Sequence, residues 1–453
     1  MVSTKIIAIA AVAVLVAAAV GVIIVTQDNG SSDKKKSTEI GTAAVYGNAN
    51  NDNYLDGDDL DQLQKIIDAN TWDKEKYPYA DANQDGVVND EDKTYVQNFI
   101  DGKKQKMYYT GSYGQTVYFN YPATNKKIAA SSDYGLMLLQ ILGIYDKVEY
   151  AAQDRVIDRL DENRYPGCTT FKTLGNYTSS DYETFVENFL ASGCTILVGQ
   201  VTSSVYDMIH DSGQEADLIL LSSSAEIQSG GMDVVSSVLT AGILLGCGDA
   251  ARKYADYFEE ITSYLNSSTN GVKTKDYLLI YNPSNAVTCT IHTSDGKGGW
   301  KGDAWNMQYL PLTTDFNWNG TAANGKSNGV EVETVLEMDP EVIIFSIWNK
   351  AKDGSDPAEV QAIVDDMAQY FKETSAYKNG KIYAVAYETY GTYLGVAGLY
   401  LLASMIWPDE FDTDKGWELF EEGISTYTLI DTDKVDVKKL GGMIPYHVNT
   451  TAS

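Results

Sequence analysis

The chain has 453 residues, 44% of them hydrophobic, which suffices for about two to four domains with buried cores. A net charge of -29 with only four arginines excludes nucleic acid as a partner, because holding phosphates takes basic patches. Three separated histidines (His210, His292, His447), no Gly-x-Ser-x-Gly and no phosphate loop leave no catalytic constellation, so no enzyme is expected. The four cysteines, Cys168, Cys194, Cys247 and Cys289, form no Cys-x-x-Cys site, and a Cys168 to Cys194 disulfide stays open.

From Ile6 to Val25 the chain is continuously apolar and long enough to cross a bilayer as a helix. The run exceeds an ordinary signal core, which points to an uncleaved anchor over 1–27 with the bulk of the chain extracytoplasmic. The alternative is a signal peptide cut near Ala17-Ala18-Ala19. A polar tether, 28–43, follows, and its Lys34-Lys35-Lys36 run against the positive-inside tendency. Asn-x-Ser/Thr at Asn29, Asn176, Asn266, Asn319 and Asn449 suits an extracytoplasmic glycoprotein.

Residues 48–59 (NANNDNYLDGDD) and 81–92 (DANQDGVVNDED) repeat one another and match the calcium-loop pattern. Oxygen side chains recur at positions 1, 3, 5, 9 and 12: Asn48, Asn50, Asp52, Asp56 and Asp59, then Asp81, Asn83, Asp85, Asn89 and Asp92. The carbonyls of Tyr54 and Val87 would complete each ring around a Ca2+ ion, and an apolar-periodic helix follows each loop. Aspartate at position 12 with one helix per loop resembles the dockerin type I domain, here over 44–103. The first loop departs from that pattern with Asn48 at position 1 and Asn53 at the glycine position. The resemblance implies a cohesin-like partner; the alternative is a calcium-stiffened spacer.

Beyond a Tyr-rich connector, short apolar strands alternate with helical stretches: strands over 127–131, 147–152, 195–198 and 217–221, with helices between them such as 182–190. Two helices broken at Gly246-Cys247-Gly248 follow. The second, Asp249 to Asn266, carries Ala251, Tyr254, Ala255, Phe258, Ile261 and Leu265 on one face, either as a spine between two lobes or as an ordinary core helix. Alternation then resumes, with strands over 277–281, 341–346 and 381–385 and helices over 332–337, 357–371 and 396–407. The expected fold class is α/β: two α/β lobes on a single spine helix, plus a small all-α calcium-loop domain and a transmembrane helix. The lobes span 110–232 and 272–412, the connecting helices 233–266, and a C-terminal extension 413–453.

Four segments in order, KKIAASSDYGLMLLQILGIYDKVEYAA (126–152), ILLGCGDAARKYADYFEEI, VEVETVLEMDPEVIIFS (330–346) and KNGKIYAVAYETYGTYLGVAGLYLLASMIWPDEF, resemble ABC-transporter substrate-binding proteins of the iron-chelate, haem and cobalamin type. The likeness covers about 115–412. It implies capture of a ferric siderophore, haem or corrinoid and delivery to an ABC permease, with a helical spine that limits lobe motion. The alternative is a cell-surface scaffold or adhesion protein acting through the loop domain. On the ligand side, three of the four arginines, Arg155, Arg159 and Arg164, cluster after a first-lobe strand, where guanidinium forks suit carboxylate, phosphate or hydroxamate oxygens. Tyr134 follows the opening strand. Trp300, Trp305, Trp348, Tyr387, Tyr390 and Tyr393 are the second-lobe aromatics on which a flat chelate would stack. Arg155 and Arg159 pairing with Asp154, Asp158 or Asp161 is the structural alternative.

Overall fold

The computed structural model describes residues 40–111, 114–123, 127–199, 201–213, 217–220, 233–268, 272, 275–281, 288–292, 310, 312–313, 330–347, 356–386 and 392–450. The apolar run Ile6 to Val25 lies outside them; no helix among the described residues is long and apolar enough to cross a membrane.

Each calcium-type loop opens a helix, α1 (Gly57–Ala69) and α2 (Asp90–Ile100), through the same capping box: the position-9 side chain caps the first turn and the position-12 carboxylate returns to its amide. Leu63, Ile66 and Val96 are buried in the same hydrophobic cluster as Leu55, Ala80 and Ala82. The expected Tyr-rich connector is instead an antiparallel hairpin, β1 (Gln105–Thr110) and β2 (Thr116–Tyr121). Met107, Tyr109, Val117 and Phe119 alternate inward. Tyrosines on both faces, Tyr108 beside Tyr109, mask that alternation in the sequence.

The first sheet takes β3 (Ile128–Ala130), β4 (Val148–Ala151), β5 (Lys172–Thr173), β6 (Ile196–Gly199) and β7 (Asp217–Leu220), all parallel, in the order β5-β4-β3-β6-β7. Helices α3 (Asp133–Ile141), α4 (Tyr182–Ser192) and α5 (Ser203–Asp211) connect its strands. Every residue of α3 from Gly135 to Ile141 is buried.

The connecting helices are α6 (Val234–Leu245) and α7 (Gly248–Ser268). Asp233 caps α6, accepting from the Ser236 N–H at 2.8 Å, and Gly246 closes it with a left-handed φ of 73°. The helices cross where a β-carbon on Gly242 would stand 2.4 Å from that of Ala251, so only glycine admits the approach. The apolar face expected for α7 is the buried one, joined by Tyr257 and Thr262.

The second sheet is built from β8 (Lys275–Tyr281), β9 (Thr288–His292), β10 (Leu312–Thr313), β11 (Val330–Glu331), β12 (Val342–Ser346), β13 (Ile382–Val385) and β14 (Tyr446–His447), ordered β11-β9-β8-β12-β13-β14 with β10 beside β8. Strands β8, β12 and β13 run parallel, whereas β9 and β14 are antiparallel to their neighbours. Helices α8 (Val332–Met338), α9 (Pro357–Ala368), α10 (Ser375–Lys378), α11 (Gly395–Ile406) and α12 (Thr413–Tyr427) complete this half. Residues beyond 412 are thus woven in: β14 finishes the sheet, and α12 lies on α7 and α11 and reaches α3 of the first half. Tyrosines tie the spine there, Tyr257 donating to the Leu419 carbonyl at 2.9 Å and Tyr427 to that of Lys253 at 2.8 Å.

Candidate functional site

In a parallel sheet a ligand crevice forms beyond the carboxyl ends of the strands where strand order reverses. In the first sheet the reversal falls between β3 and β6, since β4 continues on one side of β3 and β6 on the other. The residues there are small and tightly set. Ser131 and Ser132 are buried, and the Ser131 N–H donates to the Val198 carbonyl at 2.9 Å. A β-carbon on Gly135 would lie 2.5 Å from that carbonyl oxygen, and one on Gly199 (φ +127°) 2.6 Å from Ser131 Oγ. No pattern in the sequence singles out the serine pair or Gly135; only Gly199, which ends the ILVG run, marks the place.

Tyr134, half-buried in the first turn of α3, follows these strand-end residues in the chain. The loop after β4 makes a single π-helical turn, Gln153–Ile157, and Arg155 lies over the Tyr177 ring at 5.0 Å. Tyr177 joins three loops: its N–H donates to Asp154 Oδ1 at 2.6 Å, and its hydroxyl oxygen accepts from the Thr202 N–H at 3.1 Å. Burial pushes its hydroxyl up to about 12. The clustered arginines occupy three environments. Arg155 is half-buried on Tyr177, Arg159 is exposed, and Arg164 is 3% exposed, with its ring neighbour Tyr165 and its carbonyl held by Gln140 Nε2 at 2.8 Å. Among the neighbouring acids, Asp154 holds Tyr177, and Asp161 accepts from the Asn163 N–H at 2.7 Å.

On the second sheet β8, β12 and β13 end level, Tyr281 opposite Ser346 and Ser346 opposite Val385. Trp348 and Tyr387 follow two of these ends in the chain. They, Tyr390, Trp300 and Trp305 lie outside the described residues. Tyr393 is not a rim residue: it is 1% exposed, and its carbonyl accepts from the Tyr254 hydroxyl of the spine. A cavity of about 520 Å³ lined by Lys381, Tyr383, His447 and Asn449 sits by the opposite, amino end of β13, away from the strand carboxyl ends.

The two loops fold alike. Asn50 and Asn83 Oδ1 accept from the Asp52 and Asp85 N–H at 3.2 and 2.9 Å, and Asp59 and Asp92 reach back to the position-9 amides at 2.8 Å each. Position 4 is left-handed in both, Asn51 at φ 59° and Gln84 at φ 61°. Burial pushes Asp59 up to about 8 and raises Asp81 and Asp92, and neighbouring carboxylates add to each shift. Among the described residues no three His, Cys, Asp or Glu side chains converge as a metal cluster; the loops offer amide and backbone oxygens among their carboxylates. Cys168, Cys194 and Cys247 are free thiols, so the Cys168 to Cys194 bridge does not form.

No known family profile and no curated sequence matches the chain. Among solved structures it is similar to the TroA-like periplasmic binding protein FepB from Veillonella parvula, with a TM-score of 0.50 and 13% identity over 76% of this chain and 99% of that one. Two others are a periplasmic binding protein from the same organism (TM-score 0.49, 14% identity, 67% and 98% covered) and an ABC-type Fe3+-hydroxamate transport system protein from Saccharomonospora viridis (0.46, 16%, 66% and 98%). At such identity the likeness concerns the fold alone: helices and largely parallel sheets in an α/β arrangement similar to that of the TroA-like FepB structure.

Proposed function

We propose that this chain is an extracytoplasmic binding protein that takes a metal chelate, a ferric siderophore, haem or corrinoid, between its two sheets and presents it to an ABC importer. The observation that carries this reading is the strand-order reversal at β3 and β6, with its closely set Ser131, Ser132 and Gly199, in a chain with the TroA-like fold. Tyr134, Arg155 and Arg159 supply the polar side of the seat, whereas Arg164, 3% exposed and packed on Tyr165, is withdrawn from it. Trp300, Trp305, Trp348, Tyr387 and Tyr390 supply the flat one. Only three histidines are present, which favours a chelate over a bare ion as cargo.

The apolar segment 6–25 holds the receptor at the membrane. The second loop takes Ca2+ through Asp81, Asn83, Asp85, the Val87 carbonyl, Asn89 and Asp92, because it keeps the full calcium pattern, with a carboxylate at position 1 and Gly86 at position 6. A thermal-shift screen of the whole chain against ferric hydroxamates, ferric catecholates, haem and cobalamin tests the function. One class should raise the unfolding temperature in a saturable way; no shift from any of them would overturn the reading.

A further inference from the structure

The first loop departs from the calcium pattern at Asn48 and Asn53, and the structure gives both departures the same employment. Asn48 Nδ2 donates to the Ala43 carbonyl at 2.8 Å, and Asn53 Nδ2 donates to the Gly41 carbonyl at 3.1 Å. The second loop has Asp81 and Gly86 at these positions, and neither has a side-chain N–H to give. Segment 41–44, the strap, is bonded to the same loop twice more: the Ala43 N–H donates to the Asp52 carbonyl at 3.1 Å and Thr42 Oγ1 to that of Asn51 at 3.3 Å.

The strap's other partners lie on β1, where the Thr110 N–H donates to the Ala44 carbonyl at 2.9 Å, and on α6. The Thr42 N–H donates to Ser236 Oγ at 2.9 Å and the Ala44 N–H to Thr240 Oγ1 at 2.8 Å. Gly41 (φ +75°) packs so closely that a β-carbon would stand 2.8 Å from Val235 Cγ1. Tyr54 of the loop meets α7 directly, with the Arg252 guanidinium 4.2 Å over its ring. Asn48 and Asn53 are buried in this junction, whereas Asp85, Gly86 and Val87 of the second loop are exposed.

We propose that the first loop is a cation-independent latch rather than a cation site: Asn48 and Asn53 grip the strap, the strap grips α6, and the loop domain is thereby fixed to the connecting helices. The division of labour separates the pair, one loop for docking and one for the ion. It goes beyond the chelate reading and holds whichever ligand the cleft takes.

Hydrogen-exchange mass spectrometry of the whole chain, with Ca2+ and with EGTA, tests the latch. Protection of 41–47 and 234–245 should survive EGTA, whether or not 81–92 loosens. Asn53→Gly and Asn48→Asp, which restore the cation pattern, should each speed exchange in 41–47 by about tenfold or more, the first through the loss of one hydrogen bond and the second through the loss of the two that Asn48 Nδ2 gives to the Ala43 and Asp52 carbonyls. Thr240→Val should do the same from the helix side and leaves the loop untouched, so it decides the matter if the loop variants misfold. EGTA releasing 41–47 as fully as Asn53→Gly, or unchanged exchange there in all three variants, would overturn the proposal.

Discussion

The first sheet is parallel throughout and reverses its strand order in the middle, whereas the second is parallel at its centre and closed by antiparallel strands, the last of them β14 from the end of the chain. A reversal leaves a crevice whose floor is backbone, and there the chain uses Ser131, Ser132, Gly135 and Gly199. Level strand ends leave a row instead, Tyr281, Ser346 and Val385, from which the chain runs on toward Trp348 and Tyr387. One half therefore ends in close-packed backbone and the other in a level row of strand ends. In the proposed function the first is the polar side of the ligand seat, and the rings that follow the second in the chain are the flat side.

The sharpest way to break the first half of that contrast is Gly199→Val. It combines a left-handed φ of +127° with a β-carbon 2.6 Å from Ser131 Oγ, and strain plus overpacking should cost about 3 kcal/mol, read as a lowered urea midpoint. A midpoint equal to the parent's would mean that the crevice floor is not close-packed. Next in size is thiol chemistry. Burial pushes Cys168, in the same half, up to about 11, so at pH 8 a thiol reagent should leave it unmodified until urea is added. Because the folded value lies above the ordinary 9.0, its contribution to stability is full below about pH 9 and is lost as pH climbs toward about 11. Rapid native labelling at Cys168 would contradict a solid first half. The smallest expected effect is motion between the halves. Tyr257, Tyr427 and α12 tie α7 along its length, so ligand should change the X-ray scattering profile only slightly, and a large closure would show that the spine bends.

Much of this fold was legible because burial on one side leaves periodicity behind. The helix expected over Asp249 to Asn266 runs Gly248–Ser268, and the strands expected over 195–198 and 341–346 form as Ile196–Gly199 and Val342–Ser346. The hairpin β1–β2 was hidden by tyrosines that serve both a buried and a half-buried face. Strand β14 was hidden because a two-residue edge strand has no period of its own, whereas α12 does carry a helical signal, with Leu419, Phe420, Gly423, Ile424 and Tyr427 on its buried face behind the Asp412 cap. Spacing placed Arg155, Arg159 and Arg164 together in the sequence; the π-helical turn and the turns that follow it send them to three different surroundings, which no linear pattern encodes. The two asparagines of the first loop were visible as exceptions, yet their purpose needs the strap and α6, nearly two hundred residues away in the chain.

The central claim is a ligand held between the two sheets, and paired substitutions on the two sides test it most directly. The chelate that stabilises the whole chain should be titrated calorimetrically into the parent, Arg155→Ala and Trp348→Ala. Each variant should lose about tenfold in affinity while keeping the parent's urea midpoint, since a buried ring or a charge-assisted hydrogen bond is worth roughly 1.4 kcal/mol or more. Affinities within about twofold of the parent for both, with folding intact, would place the ligand elsewhere and contradict the account.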